Sequence, residues 1–200
     1  MVCTNSKETY EILLKLRAHG LARESHDENN KKIVINKYKN LNPDFIFQYA
    51  AYNMRNNELG GILGINQLKR LDKNIRKRNK NKKYFLSKLD QDLFFKDFNL
   101  SGSSNYAFNL ILNHKYSNYV EILKKILIKN SIEFRQGSAG GGNQLRQPYL
   151  SKILPKNYYK KFKNAEYIHN FGFYIGNFPE LSIKEIDYIC KIANSVKKYI

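Results

Sequence analysis

The 200 residues, 23.5 kDa in mass, allow one ordinary domain or a portion of a larger one, with room for a real core. With 42% hydrophobic and 26% charged residues, the composition excludes disorder, collagen and fibrous repeats. The 35 Lys and Arg against 17 Asp and Glu give a net charge of +18 and a pI near 9.8, which taken alone points to nucleic acid.

A compositional source competes with that reading. Lys, Asn, Ile and Tyr are encoded by A/T-rich codons, and the lysines spread from Lys7 to Lys198 instead of forming a stripe. The densest basic run, Arg70 to Lys83, reads as one solvated helix face. No apolar run approaches the ~18 residues that span a bilayer, and there is no signal pattern, so a cytoplasmic protein with no membrane partner is expected. Cys3 and Cys190 lie at opposite ends, which excludes a disulfide framework and a cysteine zinc site and suits a reducing compartment.

In chain order, Met1 to Thr4 reads as a short strand entering a helix capped by Asn5 and Glu8, which Gly20 stops. Residues 22–44 read as a long loop, with an extended piece at Lys32 to Ile35, and Phe45 to Ala51 as a strand. Leu59, Ile62, Leu63, Leu68, Leu71 and Ile75 recur at helical spacing and predict one long helix to about Leu89. Gly60, Gly61 and Gly64 would weaken its start unless close packing against another backbone compensates. Beyond it come a strand at Tyr106 to Leu112, a helix at Asn118 to Lys129 and a strand at Ile132 to Gln136. A glycine-rich loop follows from Gly137 to Gln147, with short helices at Leu154 to Phe162 and Ala165 to Asn170 and a strand at Phe173 to Gly176. Ser182 and Glu185 form an S-x-x-E capping box on the last helix, whose buried stripe is Ile183, Ile186, Ile189, Cys190, Ala193 and Val196.

The glycine-rich stretch from Gly137 to Pro148, between Arg135 and Arg146, exposes backbone N–H groups to an anion and flanks them with charge. It lacks the ending of a Walker loop, and its G-x-x-G is a weak match to a KH domain. A flexible connection is the competing reading. Asn53 and Arg55, just before a helix start, could hold a phosphate or carboxylate, against the simpler reading of an Asn-rich turn and a surface Arg. His19 reads as a helix-end cap, and His26, His114 and His169 have no partners at metal-ligand spacing, so no metal is expected.

Several segments, in order, resemble the DegT-type family of pyridoxal-phosphate-dependent nucleotide-sugar aminotransferases and dehydratases. Leu16-Arg-Ala-His-Gly-Leu-Ala-Arg23 looks like its "LRSHG…R" helix end, and Tyr52-Asn-Met-Arg55 with Asn57-Glu58 looks like its "GYNxRxxE" motif. Gly64-Ile-Asn-Gln67 with Leu68, Leu71 and Asp72 looks like "GLxQLxxLD". Ile132-Glu-Phe-Arg135 and Gly142-Asn-Gln-Leu-Arg-Gln-Pro148 are similar to "IExR…GNxxRQP", and Phe173-Tyr-Ile-Gly176, Pro179, Leu181 and Glu185-Ile186 to the closing "xxIGxxPxLxxxEI". The Gly-Asn-Gln-Leu-Arg-Gln-Pro form looks closest to the branch acting on 4-keto-6-deoxy hexoses linked to a nucleoside diphosphate.

The resemblance implies an α/β chain, the C-terminal portion of a fold-type I transferase dependent on pyridoxal 5'-phosphate. Residues 1–58 would be a remnant of the large coenzyme-binding domain, 59–90 a linking helix and 91–200 the small α/β domain. The Lys or His that works on the coenzyme would lie outside the chain, so no catalytic residue is assigned within it. Asn53 would reach the coenzyme phosphate of the partner subunit in a homodimer. Arg55 would meet the substrate or the carboxylate of an amine donor such as glutamate, and Glu133, Arg135, Asn143 and Arg146 are candidates for contacts to the nucleotide sugar. The resemblance further implies a place in polysaccharide or lipopolysaccharide biosynthesis. Competing readings are a small basic RNA-binding module, against which the strands lack an aromatic RNP signature, and an inactive dimerisation fragment.

Overall fold

The computed structural model describes residues 2–54, 58–136 and 142–200. They fall into two compact units: one of residues 1–58 and 139–166, the other of 59–138 and 167–200.

In the first unit, α1 (Lys7–Leu16) starts at Ser6, whose Oγ accepts from the Thr9 N–H at 3.2 Å; the cap is one residue later than expected. Residues 2–4 are exposed coil, not the expected strand, because no neighbouring strand pairs with them among the described residues. The expected loop contains α2 (Glu28–Lys37), capped by the Asp27 carboxylate at 3.0 Å from the Asn30 N–H. Its Asn- and Lys-rich sequence has almost no apolar period, since only Val34 is buried while Ile33 stays 67% exposed. The expected strand at Phe45 to Ala51 makes single bridges only, Leu21 to Phe47 and, just beyond it, Ala18 to Asn53. A small core of Ala22, Val34, Leu41 and Ile46 forms under these segments. The short α6 (Pro148–Ser151), absent from the sequence expectation, precedes a 3-10 turn at Tyr158–Lys161 where a helix was expected.

In the second unit the long helix is broken. α3 (Glu58–Leu68) and α4 (Leu71–Lys88) are separated at Arg70, whose N–H turns back to the Gln67 carbonyl at 3.0 Å. No residue of α3 is buried, and a Cβ on Gly61 or Gly64 would meet nothing within 4 Å, so the close packing expected of these glycines is not made within the described chain. Three antiparallel strands follow, β1 (Ala107–Ile111), β2 (Arg135–Gln136) and β3 (Gly172–Gly176), in the order β1-β3-β2. β3 pairs Gly176 with Ala107 and Tyr174 with both Asn109 and Arg135. The strand at Ile132 to Gln136 is thus shorter than expected, while β1 and β3 fall where the sequence put them.

α5 (Val120–Lys129), α4 and α8 (Ile183–Asn194) supply the rest of a core built on Phe85, Leu93, Phe108, Leu123, Phe173 and Ile186. The Phe85 and Phe108 rings stack at 4.3 Å. The capping box of α8 forms as expected, and Ile186, Ile189, Cys190, Ala193 and Val196 are buried, while Ile183 is 44% exposed. α7 (Lys163–Phe171) ends at β3. No helix among the described residues is long and apolar enough to cross a membrane.

Candidate functional site

The Asn53 segment is held by its backbone and open at its side chains. Tyr52 donates its N–H to the Leu16 carbonyl at 3.1 Å and accepts from the His19 N–H at 2.8 Å, and the Met54 N–H donates to the Arg17 carbonyl at 2.9 Å. Tyr52 and Met54 are 70% and 68% exposed, and Asn53 is exposed between them. Gly20 makes this crossing possible: at φ +72° it lies so close to Tyr49 that a Cβ would come within 2.1 Å of the Tyr49 carbonyl oxygen. His19, expected as a cap, sits past the helix end with φ 60° and shows its ring edge-on to Phe47. An amide on a fixed backbone, approachable from outside, is suited to donate to an anionic oxygen of another molecule. Arg55 lies outside the described residues.

Asn143 and Arg146, also in the first unit, converge on a residue the sequence did not single out, Glu166. Asn143 is 6% exposed; its Oδ1 accepts from the Leu145 N–H at 3.1 Å and its Nδ2 donates to Glu166 Oε2 at 3.1 Å. Arg146 Nε–H reaches both Glu166 oxygens at 2.9 Å, Nη2 closes the fork onto Oε1, and the guanidinium lies 4.0 Å from the Tyr159 ring centroid. Its hydrogen bonds to Glu166 raise the affinity of Arg146 for its proton. Gln147, fully buried, accepts from the Phe47 N–H at 3.0 Å and donates to the Phe45 carbonyl at 2.9 Å. The "GNxxRQP" segment is therefore stitched into its own unit by side chains, and Gln147 does for Phe45 and Phe47 what a neighbouring strand would have done.

Glu133 and Arg135 line a cavity of about 560 Å³ in the second unit, with Tyr106, Phe134, Tyr174 and Tyr188 among its walls. β2 places Arg135 directly opposite Tyr174, and its Nη1 lies 3.4 Å from the tyrosine oxygen. Tyr106 meets Tyr174 edge-on at 6.2 Å. Aromatic walls for a flat ring, a carboxylate acceptor and an exposed guanidinium suit a heteroaromatic ligand that carries an anionic group. Glu133 and Arg135 thus share one cavity; Asn53, Asn143 and Arg146 belong to the other unit.

Two buried titratable groups, Lys82 and Cys190, are structural. Lys82 lies in the basic run expected to be solvated, yet it is 1% exposed, and burial pushes its ammonium down to about 8. Its Nζ donates to Asn109 Oδ1 at 2.9 Å and lies 4.8 Å from the Phe98 ring centroid. Burial pushes the Cys190 thiol up to about 12, which keeps it protonated and unreactive. No group of three or more His, Cys, Asp or Glu side chains among the described residues could hold a metal.

The chain is 30% identical over 196 residues to GDP-4-keto-6-deoxy-D-mannose 3-dehydratase of Escherichia coli O55:H7, covering 96% of this chain and 49% of that one. The enzyme of the same name from Yersinia pseudotuberculosis is 33% identical over 202 residues, covering 98% and 49%. The chain therefore spans about half the length of the curated relatives it matches. Among solved structures, the E. coli 3-dehydratase with bound hydrated pyridoxal phosphate superposes with a TM-score of 0.57 at 29% identity, over 95% of this chain and 48% of that one. A Helicobacter pylori aminotransferase of pseudoaminic acid biosynthesis gives the same TM-score at 18% identity, over 98% and 48%, a likeness of fold. These neighbours confirm the expected α/β aminotransferase-type fold. Because the model of the DegT/DnrJ/EryC1/StrS aminotransferase family matches residues 1–194, the chain belongs to that family.

Proposed function

We propose that this chain is part of a pyridoxal 5'-phosphate-dependent enzyme acting on a 4-keto-6-deoxy hexose linked to guanosine diphosphate, as a 3-dehydratase or an aminotransferase supplying polysaccharide synthesis. Support comes from the two relatives, whose names carry that substrate, and above all from the cavity that brings Glu133 and Arg135 together between tyrosines. Neither an RNA-binding module nor an inactive dimerisation fragment is favoured by the family match.

The residues present suit the coenzyme's phosphate: Asn53 offers an exposed amide on a pinned backbone, able to donate to a phosphate oxygen of a group held by a second subunit. When bound, the coenzyme supplies an electron sink for bond breaking in the sugar. In this reading Arg55 takes the substrate or the carboxylate of an amine donor such as glutamate. Glu133 accepts from the N–H edge of the base, Arg135 pairs with the diphosphate, and Tyr106 and Tyr174 flank the ring. Asn143 and Arg146, committed to Glu166, hold their loop in the position from which it meets the sugar.

The homodimer belongs to the same proposal. Leu59, Ile62, Leu63, Ile65 and Leu68 of α3 are all 63–69% exposed, and a helix apolar on every side is stable only when covered, here by a second copy.

Calorimetric titration of GDP into the chain tests the nucleotide assignment. Saturable binding that weakens by about tenfold or more in Arg135→Ala is expected. Binding with equal affinity in the wild type and in Arg135→Ala would refute the assignment.

A further inference from the structure

The start of α4 carries charge that the rest of its unit does not answer. Arg70, Lys73, Lys77 and Arg78 line a second cavity of about 440 Å³, walled on its other side by Phe178, Pro179 and Glu180. Its volume falls within the ~300–1,000 Å³ of small-molecule sites. Four cations face one carboxylate there, and none of the four is in an ion pair among the described residues. The Nε–H of Arg78 is buried with no acceptor among the described residues.

The wall is fixed before any ligand arrives. Asn177, 2% exposed, donates from Nδ2 to the Arg78 carbonyl at 2.9 Å and to the Asn105 carbonyl at 2.7 Å. Asn81 Nδ2, on the next turn of α4, donates to Asn177 Oδ1 at 3.3 Å and to the Phe178 carbonyl at 3.4 Å. Residues 177 and 178 are thereby fastened to the helix that carries the cations, and the like charges stay close because the scaffold holds them there.

We propose that this cavity binds a small polyanion carrying a diphosphate group. Guanidinium groups take phosphate oxygens in pairs, ammonium groups take those that remain, and several negative charges are needed to outweigh the repulsion of Glu180. The diphosphate can be free inorganic pyrophosphate or part of a nucleotide, and the two sources are separable.

Calorimetry of the full chain with inorganic pyrophosphate at low ionic strength provides the test. One saturable site is expected, weakened about tenfold or more by the double variant Lys73→Gln/Lys77→Gln and tightened several-fold, to about tenfold, by Glu180→Gln. Lys73 and Lys77 are exposed, so the double variant retains the core. With Arg135→Ala as the background, which removes the diphosphate partner of the other cavity, the dependence on Lys73 and Lys77 should persist, and the remote Lys198→Gln should leave the affinity unchanged, which separates this site from diffuse attraction to a basic protein. Absence of binding, a loss in Lys198→Gln equal to that in the double variant, or no dependence on Lys73 and Lys77 in the Arg135→Ala background would overturn the proposal. With GDP as the second probe, the same dependence on Lys73 and Lys77 identifies a nucleotide as the source of the diphosphate. Dependence with pyrophosphate alone identifies the free ion, and either outcome supports the site.

Discussion

Lys82 keeps its ammonium group in the core with an amide oxygen and an aromatic face for company, and with no carboxylate in an ion pair among the described residues. Its proton is held less tightly in the folded state than in the unfolded chain, where an ordinary lysine titrates near ~10.4. The unfolded state therefore binds more protons between about pH 8 and pH 10.4. Stability rises with pH across that window, and the full cost of burying the charge is present below it. Lys82→Met is expected to stabilise the chain by about 1–2 kcal/mol at pH 7, since Asn109 is exposed and can turn to water. That gain should shrink as pH rises from 8 toward 10, as followed by denaturant unfolding at each pH; a gain independent of pH would contradict the assignment. The sequence hid this residue among the eight lysines and arginines of Arg70 to Lys83, because composition cannot say which member of a basic helix faces inward. Glu166 was equally hidden, as a lone carboxylate 20 positions from Arg146 with no motif of its own. Arg135 and Asn53, by contrast, stood in segments whose neighbours could be recognised.

The elements that were legible are those whose own sequence terminates them. α8 announces itself through the Ser182 and Glu185 box and an apolar stripe, and β1 and β3 through short, mainly apolar runs. α2 was not legible because its cap is followed by Asn and Lys, not by a period, and the Phe45 to Ala51 strand is reduced to single bridges, with a side chain meeting its other edge. Gln147 supplies the two hydrogen bonds at Phe45 and Phe47. Gln147→Ala should accordingly cost about 2–3 kcal/mol, the penalty of leaving buried backbone groups unmet, measured by urea unfolding. A loss below about 0.5 kcal/mol would show that water replaces the side chain there.

At the scale of the molecule, the two units and the exposed α3 belong to one account: a chain whose family identity is clear, with an apolar helix that needs a cover. Ile62→Gln with Ile65→Gln should raise the dissociation constant of the proposed dimer by about 100-fold in sedimentation equilibrium while changing the stability of the chain by less than about 1 kcal/mol, since both side chains are already more than 60% exposed. An unchanged mass distribution would remove α3 from the interface. The +18 charge that first suggested nucleic acid resolves into solvated lysines, the buried Lys82 and two cavities carrying guanidinium groups. The most direct measurement is the crystal structure of the chain soaked with GDP. The account predicts the guanine ring in the cavity beside Tyr106 and Tyr174, with its base edge toward Glu133 and its diphosphate at Arg135. A nucleotide found only against α4, or none in the Glu133 and Arg135 cavity at saturating GDP, would contradict it.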